Sequence, residues 1–285
     1  MRQVLVFGGS GQIGRPLLAR LRRDGWRVFA LSRERRADEP GLHWLAGDFT
    51  QSDPLPRRID AVISCGPLDL FSHWLEQAEL DCRRVIAFGS TSMATKRESA
   101  SAAERELAAR LHAAEARVFA RAGELGIAAT LLRPTLVYGA GRDATLTRIA
   151  GLAQRWRCFP LPRGAIGLRQ PVHVDDLAAA AHACLSSPAS HGRAYDLPGG
   201  ETLPYREMAA RVLAVLKPRP RLIELPSPVF RLAVAAAQVS GRAQGLDLQA
   251  VARMRSDLVF DAAPAQRDLG YAPRMFRPTP EMFEP

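Results

Sequence analysis

The residues best suited to chemistry come first in the chain. In VLVFGGSGQIGRPLLARL, Gly8, Gly9, Gly11 and Gly14 fall between an apolar run and an amphipathic stretch. A turn without side chains can take positive φ and bring backbone N–H groups up to an anion, and a helix starting there adds a favourable field. Gly8, Gly11, Gln12, Ile13 and Gly14 are therefore candidates to cradle a phosphate. Gly14 would also allow close packing of helix on strand.

A second signal lies about 20 residues on, where the next apolar run ends ALSRERR. A site for NAD(H) usually carries an acid there to accept from the ribose hydroxyls. Here Ser32 and Arg33 take that place. A carboxylate would repel a ribose 2′-phosphate, whereas a guanidinium pairs with it and stacks on adenine. The expected cofactor is thus NADP(H) in preference to NAD(H). The alternative is that Arg33, Arg35 and Arg36 are solvated loop charges in an arginine-rich chain.

These residues need elements to position them. The first 139 residues alternate short apolar runs with helical patterns, the signature of βαβ units around a parallel sheet. Strands are expected at 3–8, 27–32, 42–47, 61–65, 84–89 and 128–133, with helices over 12–24, 68–80 and 102–124. From about residue 140 the chain is richer in Pro and Gly, and short helices are expected at 145–156, 174–186, 205–216, 228–239 and 247–255 with a few short strands. The fold class is α/β: a Rossmann-type doubly wound parallel sheet over 1–139, and a smaller C-terminal α/β substrate cap over 140–285, interleaved with it.

Composition bounds the rest. With 285 residues, 47% hydrophobic and 24% charged, the chain is globular rather than disordered. No apolar run approaches the roughly 20 residues of a membrane span, and MRQVLVFGG lacks the sections of a signal peptide, so a cytoplasmic protein is expected. The four cysteines match neither a zinc pair nor a redox CxxC, and no metal is expected. The net charge of +10 is spread over pairs such as Arg22-Arg23 and Arg83-Arg84, without the single stripe that nucleic acid needs, so the expected partner is a small-molecule substrate. A homo-oligomer is compatible with the sequence.

An ordered series of motifs now accumulates: GGSGQIG after the first strand, Gly47-Asp48-Phe49 after the third, Cys65-Gly66-Pro67 after the fourth, FGSTS (88–92) after the fifth, RPTLVYG (133–139) after the sixth, and PVHVDDLA (171–178) beyond. Over nearly its whole length the chain resembles the extended short-chain dehydrogenase/reductase superfamily, often called the NAD-dependent epimerase/dehydratase family. The resemblance implies that Asp48 contacts adenine with Phe49 beside it, and that Cys65, Gly66 and Pro67 line the adenosine side of the cleft. It implies that Ser90, Thr91 or Ser92 supplies a hydroxyl for a substrate carbonyl or alcohol.

The chain departs from that pattern at the Tyr and Lys the family spaces as YxxxK, where Lys lowers the Tyr pKa and Tyr transfers the proton. Four residues after Tyr138, Tyr195, Tyr205 and Tyr271 stand Arg142, Gly199, Ala209 and Met275. Aligning on Glu115, which resembles a Glu following the family Lys by four, puts Leu107 and Leu111 at the dyad positions. With Ala114 and Val118 they make an apolar stripe. Lys96, one of two lysines in the chain, and Tyr138 are the candidates to replace the dyad, against the alternatives of a solvated cation and a packing ring. His112 is expected at the surface and His173 in a structural role. Arg169 is a candidate for a substrate diphosphate or, equally, a salt-bridge partner. Two functions follow. One is an atypical NADP(H)-dependent oxidoreductase or epimerase-like enzyme acting on a nucleotide sugar or small ketone. The other is a catalytically silent NADPH-binding regulatory or structural subunit.

Overall fold

The computed structural model describes residues 2–56, 58–79, 81–143, 145–230, 232 and 253–283. The first strands and helices alternate as the apolar periodicity requires: β1 (Gln3–Phe7), α1 (Gly14–Arg23), β2 (Arg27–Ser32), β3 (Leu42–Ala46), β4 (Ala61–Ser64), α2 (Leu68–Gln77), β5 (Arg84–Phe88), a short α3 (Ser92–Thr95), α4 (Ala102–Glu124) and β6 (Ala128–Pro134). After β7 (Val137–Tyr138) come α5 (Leu146–Trp156), β8 (Cys158–Pro162), β9 (Leu168–Arg169), β10 (Val172–His173), α6 (Val174–Cys184), β11 (Arg193–Leu197), β12 (Leu203–Pro204), α7 (Tyr205–Val215), β13 (Arg221–Leu225) and α8 (Ala263–Leu269).

The main sheet is parallel throughout and runs β11-β6-β5-β4-β1-β2-β3. It is doubly wound, with the reversal of strand order at β1 and β4. It has seven strands where the sequence suggested six. The seventh, RAYDL, is short and carries Arg193 and Asp196, which hide its apolar alternation. Helix α1 packs on α6 and α2 on α4. The strands are buried on both faces, Val4, Leu5, Val6, Val62 and Ile63 having no exposure, as expected of a covered parallel sheet. Leu17 and Leu21 of α1 are also fully buried, each contributing about 1.5–3 kcal/mol.

The chain divides into two compact units. One comprises residues 1–135, 174–198 and 261–273, and the other residues 136–173, 199–260 and 274–285. The first unit holds the seven-stranded sheet. The second has its own core, in which Tyr138, Leu146, Leu161, Met208, Val212 and Phe276 are buried together, and three two-stranded pairings, β10-β7, β12-β9 and β13-β8. The helices expected at 228–239 and 247–255 lie mostly outside the described residues. No helix among the described residues is long and apolar enough to cross a membrane.

Candidate functional site

The glycine turn leads from β1 into α1. Gly8 takes φ +70°, and a Cβ there would stand 3.0 Å from the Cys65 carbonyl carbon. Its carbonyl accepts from Gly11 N at 2.9 Å. A Cβ on Gly14 would come within 2.1 Å of Gly8 O and 2.7 Å of Gly9 Cα, so this crossing of turn and helix tolerates only glycine. Helix α1 begins after Ile13 with no side-chain cap and no acid in its first turn. Its leading N–H groups and positive end are left for an anion. The Gln12 Oε1 and Ser64 Oγ atoms, on the turn and at the end of β4, are buried without a hydrogen-bond partner. A bare turn and an uncapped helix start, both presenting N–H donors, fit the pyrophosphate of a dinucleotide.

At the end of β2, Ser32 is 4% exposed. Its Oγ accepts from Glu34 N and from Arg36 Nε, each at 3.2 Å. Arg36 lies over the Trp44 ring, 5.3 Å from its centroid, and pairs with the exposed Glu34 at 3.0 Å. The guanidinium anchored at the β2 terminus is thus that of Arg36, while Arg33 is exposed. The sequence did not single out Arg36 as a site residue, although Ser32 and Trp44 were both available as signals of an anchored rather than a free arginine.

The loop after β3 folds on Asp48, whose carboxylate accepts from Thr50 N and Oγ1 and from Gln51 N. Those bonds hold its pKa below the ordinary carboxylate range. Phe49 stacks on Phe7 with centroids 4.7 Å apart, and its ring tip lies 2.7 Å from where a Cβ on Gly66 would be. A side chain at position 66 would have to displace the Phe49 ring. Burial pushes the Cys65 thiol up to about 12, which keeps it protonated and unreactive. Pro67 precedes α2.

The FGSTS loop is tied to the end of β6. Gly89 N donates to Leu132 O at 2.8 Å, and Thr91 donates to Pro134 O through both N and Oγ1. Ser90 Oγ accepts from Ser92 N at 3.1 Å. Ser92 opens α3 half-buried, leaving its hydroxyl as the one not used to hold this loop. Beneath Gly89 lies a feature the sequence treated only as an alignment anchor. Glu115, 5% exposed, accepts from Arg133 Nε at 2.8 Å and from its terminal nitrogen at 2.5 Å. Arg133 also faces Asp196 Oδ1 at 3.8 Å.

The remaining candidates are placed as follows. Lys96 Nζ is 3.5 Å from Glu104 Oε1 in the first turn of α4, where Ser99 and Ser101 also bond Glu104; this is a helix-start ion pair. Tyr138 has no exposure and meets His173 and Phe276 edge to face, so its ring packs the second unit's core. Arg169 is 5% exposed. Its guanidinium donates to Leu168 O, Ser256 O and Arg253 O and lies over Tyr205. That corrects the diphosphate expectation for Arg169, because its fork is committed to internal carbonyls. His173 is buried and His112 exposed. On α4, Ala114 and Val118 are fully buried while Leu107 and Leu111 are half-buried.

Comparison with known proteins gives consistent findings. Residues 4–80 match the model of the NAD dependent epimerase/dehydratase family. The chain is 27% identical over 255 residues to a protein of Arabidopsis thaliana named NADH dehydrogenase [ubiquinone] 1 alpha subcomplex subunit 9, mitochondrial, covering 81% of this chain and 62% of that one. It is 24% identical over 153 residues to the uncharacterised YbjS of Escherichia coli (strain K12), covering 50% and 45%. The chain thus spans less than two thirds of these relatives. Among solved structures, UDP-glucuronic acid 4-epimerase of Bacillus cereus in complex with NAD superposes with a TM-score of 0.71 at 13% identity, covering 96% of this chain and 94% of that one. At that identity the likeness is one of fold.

Proposed function

We propose that this chain, which carries the NAD-dependent epimerase/dehydratase match over residues 4–80, is a nicotinamide-dinucleotide-dependent oxidoreductase or epimerase-like enzyme that prefers NADP(H). The observation that carries the reading is the glycine crossing, where Gly14 leaves no room for a Cβ beside Gly8 O. In this reading the N–H groups of Gln12, Ile13 and Gly14 bind the pyrophosphate. Ser32 and Arg36, with Arg33 nearby in sequence, face the ribose phosphate in place of an acid. Asp48 and Phe49 border adenine, with Cys65, Gly66 and Pro67 across from them. The nicotinamide, when bound, supplies the redox chemistry, and the protein positions and polarises. Ser92 donates its hydroxyl to a substrate carbonyl, oriented by the turn that Ser90 and Thr91 hold. The substrate class is a nucleotide sugar, as the likeness to UDP-glucuronic acid 4-epimerase and to MoeE5 in complex with UDP-glucose supports, or a small ketone.

A second reading is an NADPH-holding subunit without turnover. Leu107 and Leu111 at the dyad positions favour it, as does the curated relative named as a subunit of a larger assembly. The two separate in one assay, NADPH oxidation by the pure protein across UDP-sugar derivatives and ketones. Turnover reduced at least tenfold by Ser92→Ala supports the enzyme. Tight NADPH binding with no turnover supports the subunit.

A further inference from the structure

Two glutamates of one helix hold the two ends of the loop that would orient the substrate. Glu104 and Glu115 stand about three turns apart on α4, and so share a face of it. Between them on that face are Leu107 and Leu111, both half-buried. At the far end of the loop, Lys96 Nζ meets Glu104 at 3.5 Å and Ser99 Oγ donates to the same carboxylate at 2.6 Å. Glu115 serves the near end. Its Oε1 lies 3.0 Å from where a Cβ on Gly89 would be, so the carboxylate is the floor on which Gly89 rests.

Arg133 turns that floor into a hold on the loop. Its guanidinium donates to both oxygens of Glu115, and the residues on either side of it carry the loop itself. Leu132 O accepts from Gly89 N at 2.8 Å, and Pro134 O accepts from Thr91 N and Oγ1. Three consecutive residues at the end of β6 therefore fasten the loop on one side and α4 on the other. A buried ion pair is a poor source of stability, because desolvation offsets the attraction and an apolar pair of similar volume often packs as well or better. What it supplies is geometry. A planar fork on a carboxylate fixes two distances and a plane, whereas an apolar contact lets neighbouring segments slide.

Resting on the proposed enzymatic reading, we infer that Glu115 is a positioning residue for the Ser90–Ser92 turn. Through Arg133 it fixes the carbonyls that hold Gly89 and Thr91, and with them the place of the Ser92 hydroxyl. It touches no substrate in this scheme and transfers no proton. Glu104 repeats the hold at the other end of the loop, where the pair is more open to water, with side-chain exposures of 25% for Lys96 and 17% for Glu104 against 7% for Glu115. The buried pair is the one that sets the geometry.

The test uses the full chain and two changes. Glu115→Gln keeps the shape and removes the charge match. Glu115→Leu combined with Arg133→Met replaces the pair by apolar side chains. Thermal unfolding, NADPH binding, NADPH-dependent reduction of a panel of ketones and keto-sugars, and amide hydrogen exchange are measured for each. The double variant unfolds near the wild-type temperature and binds NADPH within twofold of wild type, yet its kcat stays at least tenfold low. In both variants the Gly89 and Thr91 amides exchange at least tenfold faster, while those of Val4 and Ile63 in the sheet keep their protection. Glu124→Gln, which breaks an exposed pair with Arg121 at the other end of α4, changes neither readout. The inference is overturned if Gly89 and Thr91 exchange at the wild-type rate in Glu115→Gln, or if the double variant regains turnover together with stability. A double variant that cannot fold also overturns it, because the pair would then be a requirement of the fold. If wild type reduces nothing while the two amides respond as expected, the enzymatic reading falls and the hold of Glu115 on this loop stands.

Discussion

Substitution of Gly14 by alanine perturbs the crossing on which the dinucleotide reading depends. The new Cβ would lie 2.1 Å from Gly8 O and 2.7 Å from Gly9 C and Cα, about 1 Å inside the roughly 3.5 Å at which non-bonded atoms rest. These neighbours are backbone, so the turn itself must open or α1 must move away. Overpacking of this kind costs about 1–3 kcal/mol. If the cost falls on the binding conformation of the turn, it converts to dinucleotide binding weakened by roughly 5- to 150-fold at 1.4 kcal/mol per factor of ten. Gly25 provides the control. It has φ +74° with nothing within 4 Å of a Cβ, so Gly25→Ala brings left-handed strain of about 1–2 kcal/mol without touching the turn. The assay is fluorescence titration with NADPH beside thermal unfolding of each variant. Gly14→Ala binds weakly, and Gly25→Ala binds normally with a lowered Tm. Gly14→Ala binding within twofold of wild type, or Gly25→Ala losing as much affinity, would refute the reasoning.

Other consequences are as concrete. Arg36→Ala removes the guanidinium held by Ser32 and Trp44, and should cut the preference for NADPH over NADH by about 10- to 100-fold, as a charge-assisted bond of about 1.5–3 kcal/mol implies; an unchanged ratio of the two Kd values would remove Arg36 from the ribose site. Arg84 is buried and donates to Cys184 O, Ala128 O, Thr130 Oγ1 and Ser190 Oγ. Its truncation to alanine strands these acceptors and should lower urea stability by at least about 3 kcal/mol, whereas a loss under 1 kcal/mol would contradict the role. Gly151 is exposed inside α5 with open space around it, so Gly151→Ala should raise stability by about 0.5–1 kcal/mol, read as a higher Tm. For Asp196 the folded pKa is raised, so its stabilising protonation is present below the unfolded value near 4 and is lost as pH rises through the folded value. D196N should therefore gain on wild type in unfolding experiments as pH rises through that window, and a constant difference would show that the carboxyl does not titrate differently on folding.

The sheet was legible because its strands are long apolar runs separated by helical periodicity, and β1 to β6 lie within a residue or so of where those runs place them. β11 was missed because Arg193 and Asp196 break a five-residue strand that only pairing with β6 defines. The glycine turn was legible for a related reason, since the positions where a Cβ cannot fit must be glycine in the sequence itself. Charged side chains were harder. Arg169 and Arg36 each look like loop arginines, and only the three carbonyls around one and the serine beneath the other separate packing from an anchored surface group. Glu115, Arg133 and Asp196 come from α4, β6 and β11, separated by 18 and 63 positions, and no spacing rule brings them together. Their alignment follows from strand register, which a single sequence does not reveal.

We propose that this chain binds a phosphorylated nicotinamide dinucleotide through the turn at Gly8 to Gly14 and the end of β2. Its most direct test is a side-by-side titration of the pure protein with NADPH and NADH at fixed ionic strength. Saturable binding of NADPH at least tenfold tighter than NADH is expected, with the advantage shrinking as salt screens Arg36. Equal or tighter binding of NADH would contradict the preference, and binding of neither would contradict the account itself.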